Sequence, residues 1–110
     1  MDINITARHF KAHETLRGYA EDAVAKLEKY HRGIANADLV LSYEKAVNSV
    51  KIAEIHVTVG GTVLTSVAKT DAFEKSIDTV VEKVTTRLTK FKAKQREKKK
   101  AVIRRTRSKV

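Results

Sequence analysis

Residues 70–94 read TDAFEKSIDTVVEKVTTRLTKFKAK, and the spacing within this stretch decides what the rest of the chain must do. At 100° per residue, Phe73, Ile77, Val80, Val84, Leu88 and Phe91 fall within one narrow stripe, which predicts one long helix from Thr70 to about Glu97. Glu74, Asp78 and Glu82 run along one flank of that stripe, and Lys83, Arg87, Lys90 and Lys94 along the other. An ordinary exposed helix mixes its charges so that they pair at i,i+4. Here they are sorted. The apolar stripe is expected to dock on a sheet and the basic flank to face a polyanion.

The segments before this helix supply that sheet. Asp2–Thr6 alternates polar and apolar residues, the period of a half-buried strand. A turn through Arg8 to Lys11 leads to a first helix expected over Glu14 to Tyr30, whose apolar face is Leu16, Ala20, Ala23, Val24, Leu27 and Tyr30. His13 or Thr15 is the candidate cap, Gly18 weakens the interior, and Gly33 ends the segment. Ala37, Leu39, Leu41 and Tyr43 then alternate with polar neighbours, as do Ala53, Ile55, Val57 and Val59 after a loop over Ala46–Val50. Gly60-Gly61 marks a tight hairpin, and a fourth strand over Thr62–Lys69 places Val63 and Val67 on one side. Asp71-x-x-Glu74 resembles a capping box at the start of the long helix.

The order is β-α-β-β-β-α, an α+β domain in which a four-stranded sheet carries two helices packed on one face. The opposite sheet face would carry Asp2, Asn4, Thr6, Asp38, Ser42, Glu44, Glu54, His56 and Thr58. That surface is too acidic to suit RNA. Because the first helix shares its side of the sheet with the second, Lys26 and Lys29 are expected to join the basic flank.

At 110 residues there is room for one core. With no cysteine there is neither a disulfide framework nor a thiolate site. No apolar leader or span of about 20 residues is present, so a soluble, unprocessed, cytoplasmic chain is expected. The net charge of +10 is unevenly placed. Residues 1–60 hold eight bases and eight acids, whereas residues 61–110 hold fifteen and five. From Lys83 onward there are thirteen bases and only Glu97. Nucleic acid is the first partner class this implies and an anionic membrane the second. Residues 1–94 are expected to form the domain and 95–110 a basic, disordered tail acting as a nonspecific electrostatic anchor.

Other chemistry finds little support. His9 and His13 are four apart but in a predicted turn, and neither they nor His31 and His56 have cysteine support, so no metal is expected. No phosphate-binding glycine loop, nucleophile motif or secluded carboxylate pair is present, and Asp78 and Glu82 lie on an exposed flank. An enzyme and a cofactor are therefore not expected. Phe73, Phe91 and Tyr43 are assigned to packing and not to base stacking.

A set of residues in register adds a resemblance. Asn4-Ile5-Thr6, Leu16-Arg17, Ala25-Lys26-Leu27-Glu28-Lys29-Tyr30, Glu44-Lys45, Asp71-x-Phe73, Ile77-Asp78, Lys83, Leu88 and Lys90 together resemble the ribosome hibernation promoting factors, short ribosome-associated inhibitors of bacteria. The likeness covers residues 1–94. It implies the same fold, similar to double-stranded-RNA-binding domains, and a non-catalytic role in stress or stationary phase. It implies a protein that occupies the mRNA–tRNA channel of the small ribosomal subunit, contacts its rRNA and keeps ribosomes idle. The contact residues carried over are Lys26, Lys29, Lys83, Lys90 and Lys94, with Arg87 taking the place of an arginine often found at the position of Thr86. Ala23 occupies another position that is basic in the family. The acidic tail of one branch and the second, dimerising domain of the long forms are absent, so direct ribosome pairing by that route is not expected; a monomer is expected when free. The alternative is a general double-stranded RNA-binding module not specific to ribosomes; a DNA-architectural protein fits the element order less well.

Overall fold

The computed structural model describes residues 1–44 and 50–108, with side chains described through 94. Four strands form wherever the sequence alternates. They are β1 (Asp2–Ala7), β2 (Ile34–Tyr43), β3 (Lys51–Val59) and β4 (Thr62–Thr70), hydrogen-bonded in the order β1-β2-β3-β4. β1 runs parallel to β2, with Ile5 opposite Leu39. The other pairs are antiparallel, with Leu39 opposite Ile55 and Val59 opposite Thr62. A parallel pair needs a crossover, and the first helical segment provides it. Gly60 (φ 55°) and Gly61 (φ 74°) both adopt the left-handed conformation that a two-residue hairpin between β3 and β4 requires.

One sheet face is apolar and covered. Leu39, Leu41, Ile55 and Val57 are wholly buried beneath Ala20, Val24 and Leu27 on one side and Ile77, Val80 and Val84 on the other. These helical residues belong to α1 (Glu14–Ala25), α2 (Leu27–Tyr30) and α3 (Phe73–Ser108). The β-α-β-β-β-α order therefore holds, with the first helix divided at Lys26. There the Lys29 N–H reaches the Lys26 carbonyl at 3.1 Å, an i→i−3 tightening. That turn swings Tyr30 off the sheet. It was expected on the apolar face but is 63% exposed.

Two local expectations change at helix starts. His13 is extended and provides no side-chain cap for α1; its carbonyl accepts from the Arg17 N–H at 3.0 Å. Just ahead of α3, Thr70 closes a local turn. Its hydroxyl accepts from the Ala72 N–H at 3.3 Å and lies 2.7 Å from the buried Ser76 hydroxyl, which donates to the Lys51 carbonyl at 2.7 Å. Asp71 instead pairs with Lys75 one turn on, at 3.1 Å. The backbone of α3 is helical to Ser108, past the end expected near Glu97. Residues 95–108 contain neither Gly nor Pro and are rich in Lys and Arg, which favour helix.

The outer sheet face is polar as expected, with Asn4 donating to Asp38 at 2.9 Å and His56 bonded to Thr65 at 3.0 Å. It also carries Val63 and Val67, 57% and 38% exposed, beside the half-buried Val40 and Ile52. The expected loop over Ala46–Val50, apart from Val50, lies outside the described residues, as does Lys45.

Candidate nucleic-acid interface

The helix α3 lies across the sheet on the stripe Phe73, Ile77, Val80, Val84, Leu88 and Phe91, so its two charged flanks face different neighbours. The acidic flank looks toward α1. The Tyr19 phenol donates to the Asp78 carboxylate, 2.7 Å from each oxygen. This bond and the charges of Asp78 and Glu74 disfavour a phenolate, so the Tyr19 pKa is pushed above its ordinary 10.0. The basic flank looks over the free edge of β4, where the Lys83 ammonium donates to the Val67 carbonyl at 3.0 Å. The sorting of charge along α3 thus has a structural cause, since each sign sits beside a different element.

Arg87, Lys90 and Lys94 follow Lys83 along the same flank. All three are exposed and form no ion pair with another described residue. At 1.5 Å per residue the row from Lys83 to Lys94 is about 16 Å long. Exposed, unpaired ammonium and guanidinium groups along such a row suit sequence-independent phosphate contact.

The expectation that Lys26 and Lys29 join this flank is corrected. The face of α3 that meets α1 is the acidic one, so both lysines lie on the opposite side from Lys83 and Arg87. Lys26 stands on the rim of a groove of about 630 Å³ between α1 and α3. Lys29 lies at the end of α2 with Arg32 and Lys92, around His31 and Gly33. These three make a second basic cluster that the sequence reading did not assemble. The helical wheel held part of the signal, because Lys92 falls about 160° from Lys90 and so on the α1 side. His31 within the cluster has its pKa lowered below 6.5, first by burial and then by the charge of Lys92. Its Nε2 is buried without a hydrogen-bond partner among the described residues.

Among the described residues, no group of three or more His, Cys, Asp or Glu could hold a metal ion, and no helix is long and apolar enough to cross a membrane.

Over residues 3–96 the chain matches the family described as Sigma 54 modulation protein / S30EA ribosomal protein. The chain belongs to that family. The resemblance to hibernation promoting factors drawn from the sequence therefore holds, and this S30EA family is non-enzymatic. The ribosome hibernation promoting factor of Salmonella typhimurium is 33% identical over 97 residues, covering 88% of this chain and 99% of that protein. A ribosomal subunit interface protein from Coxiella burnetii superposes with a TM-score of 0.77 at 25% identity, covering 84% of this chain and 99% of the other. The N-terminal domain of Thermus thermophilus Protein Y gives 0.72 at 26% identity, with 83% and 99% covered.

Proposed function

We propose that this S30EA protein is a hibernation factor of the cytoplasm that binds the small ribosomal subunit and its rRNA in the channel for mRNA and tRNA. It acts by steric exclusion, holding ribosomes inactive in stress or stationary phase. The observation that carries the reading is the row Lys83, Arg87, Lys90 and Lys94, which forms no ion pair with another described residue, on a helix whose Glu74, Asp78 and Glu82 lie on a different flank. The names of the relatives, which refer to ribosome hibernation and to the subunit interface, support the target.

The cluster Lys29, Arg32 and Lys92 supplies a second set of phosphate contacts, and Lys26 a further one on the groove rim. Residues 95–110, with eight bases against Glu97, form a cationic extension beyond the 1–94 domain that adds affinity without specificity. Each phosphate neutralised should steepen the fall of log K with log salt by roughly 0.7–0.9. Folded RNA recognised this way is read by shape. No small molecule is needed, and the free protein is a monomer.

The test is competition on isolated small subunits. Pre-bound mRNA and initiator tRNA should be excluded by the protein, and excess free duplex RNA should not displace it. Simultaneous occupancy of the subunit would contradict the channel. Equal affinity for free duplex would favour a general double-stranded RNA-binding module.

A further inference from the structure

The groove between α1 and α3 does not fit a surface made only for phosphates. Its floor is Ala23 and Val81, and its sides include Tyr19, Tyr30 and Glu82. Tyr19 and Tyr30 are 39% and 63% exposed, the two most exposed aromatic residues described. The Tyr19 ring is held in place by its bond to Asp78. Glu82 is exposed, and its carboxylate has no partner among the described residues. A carboxylate repels phosphate, so its presence in one groove with two exposed aromatic rings calls for N–H donors. Within RNA, the Watson–Crick edge of guanine presents two adjacent donors, N1–H and the N2 amine, which match the two oxygens of one carboxylate. Adenine, cytosine and uracil present no such pair. Sequence-specific RNA contacts are generally made to unstacked bases packed on aromatic rings.

We propose that this groove holds one extruded guanine of the bound RNA. Its Watson–Crick edge meets Glu82, its ring packs on Tyr30, and Lys26 neutralises the adjoining phosphate. The inference rests on the RNA-binding function proposed above. It adds a base-reading position to a protein otherwise held by charge.

The test is a fluorescence-anisotropy titration of the full chain with labelled single-stranded oligouridylates carrying one central guanine, inosine or adenine. Wild type should bind the guanine probe about tenfold more tightly than the adenine probe, within the range a bidentate base contact supplies. Inosine, which lacks the N2 amine, should fall between. Glu82→Gln should abolish the guanine preference, and Tyr30→Ala should weaken binding of the guanine probe about fivefold or more through lost stacking. Reversal of Arg87 and Lys90 should weaken all probes equally. Equal affinity for guanine and adenine, no binding of any probe, or a preference that survives both groove variants would overturn the proposal. Groove occupancy by a protein partner would produce the first or second of these. Ribosome co-sedimentation, run in parallel, separates the two readings. A wild type that keeps the guanine preference but fails to co-sediment removes the ribosomal target and leaves the groove site standing.

Discussion

Tyr19 of α1 and Asp78 of α3 are joined side chain to side chain across the helix pair, the phenol oxygen lying 2.7 Å from each carboxylate oxygen. The Asp78 hydrogen bond is the first cause of the raised Tyr19 pKa, followed by burial and by the charges of Asp78 and Glu74. The folded state therefore favours the protonated phenol. Its stabilising contribution is fully present below the ordinary value of 10.0 and is lost as pH rises through the higher folded value. Tyr19→Phe should be less stable than wild type near neutrality, with the gap narrowing once pH passes 10. Thermal denaturation across that range measures it, and a pH-independent gap would contradict the raised Tyr19 pKa.

His31 titrates in the opposite sense. Burial and Lys92 disfavour its cation in the folded state, so the folded protein binds fewer protons than the unfolded chain below pH 6.5. Stability from this group is complete above 6.5 and declines as pH falls through the window down to the lowered folded value. In an NMR titration of the ring Cε1 proton, Lys92→Gln should raise the His31 midpoint only part of the way to 6.5, because burial is the larger cause. A midpoint unmoved by the substitution would remove Lys92 from the cluster around His31.

Gly18 lies inside α1, and a Cβ added there meets nothing within 4 Å. Gly18→Ala should therefore raise stability by about 0.5–1 kcal/mol through helix propensity and reduced unfolded-state entropy. Chemical denaturation reads the change directly. A loss of stability would mean that this surface of α1 has no room for a methyl group.

Core and outer face should respond very differently to substitution. Leu88 is 2% exposed at the α3–sheet contact, and Leu88→Ala should cost about 2–5 kcal/mol. Val63, at 57% exposure on β4, should tolerate Thr within about 0.5 kcal/mol. Denaturant midpoints of both variants provide the comparison, and similar losses would contradict the assignment of faces in β4.

Periodicity made most of this fold legible because burial repeats with the geometry of each element. The stripe from Phe73 to Phe91 and the alternation through Leu39 and Ile55 needed no partner to be recognised. Relations between elements were harder to read. Which flank of α3 faces α1 depends on how the helix lies on the sheet, so the grouping of Lys26 and Lys29 with Lys83 failed. Tyr30 was misread because one i→i−3 turn at Lys26 breaks the 100° step on which the helical wheel depends. The expected capping box is replaced by an Asp71–Lys75 pair, with the Thr70 hydroxyl bonding the Ala72 N–H ahead of the first turn. Arg32 and Lys92 are distant in sequence, and only the packed end of α2 brings them together with Lys29.

The most direct test of the ribosome-binding reading is co-sedimentation of the full chain with small ribosomal subunits over a salt series, comparing wild type with Arg87→Glu/Lys90→Glu/Lys94→Glu. Lys83 is left intact because its ammonium bonds the β4 backbone. The exposed positions chosen should leave the circular dichroism spectrum and melting temperature close to wild type. The prediction is that wild type pellets with subunits at low salt and is released as salt rises, whereas the reversed variant stays in the supernatant throughout. A folded variant that pellets like wild type would contradict the assignment of this helix flank to rRNA.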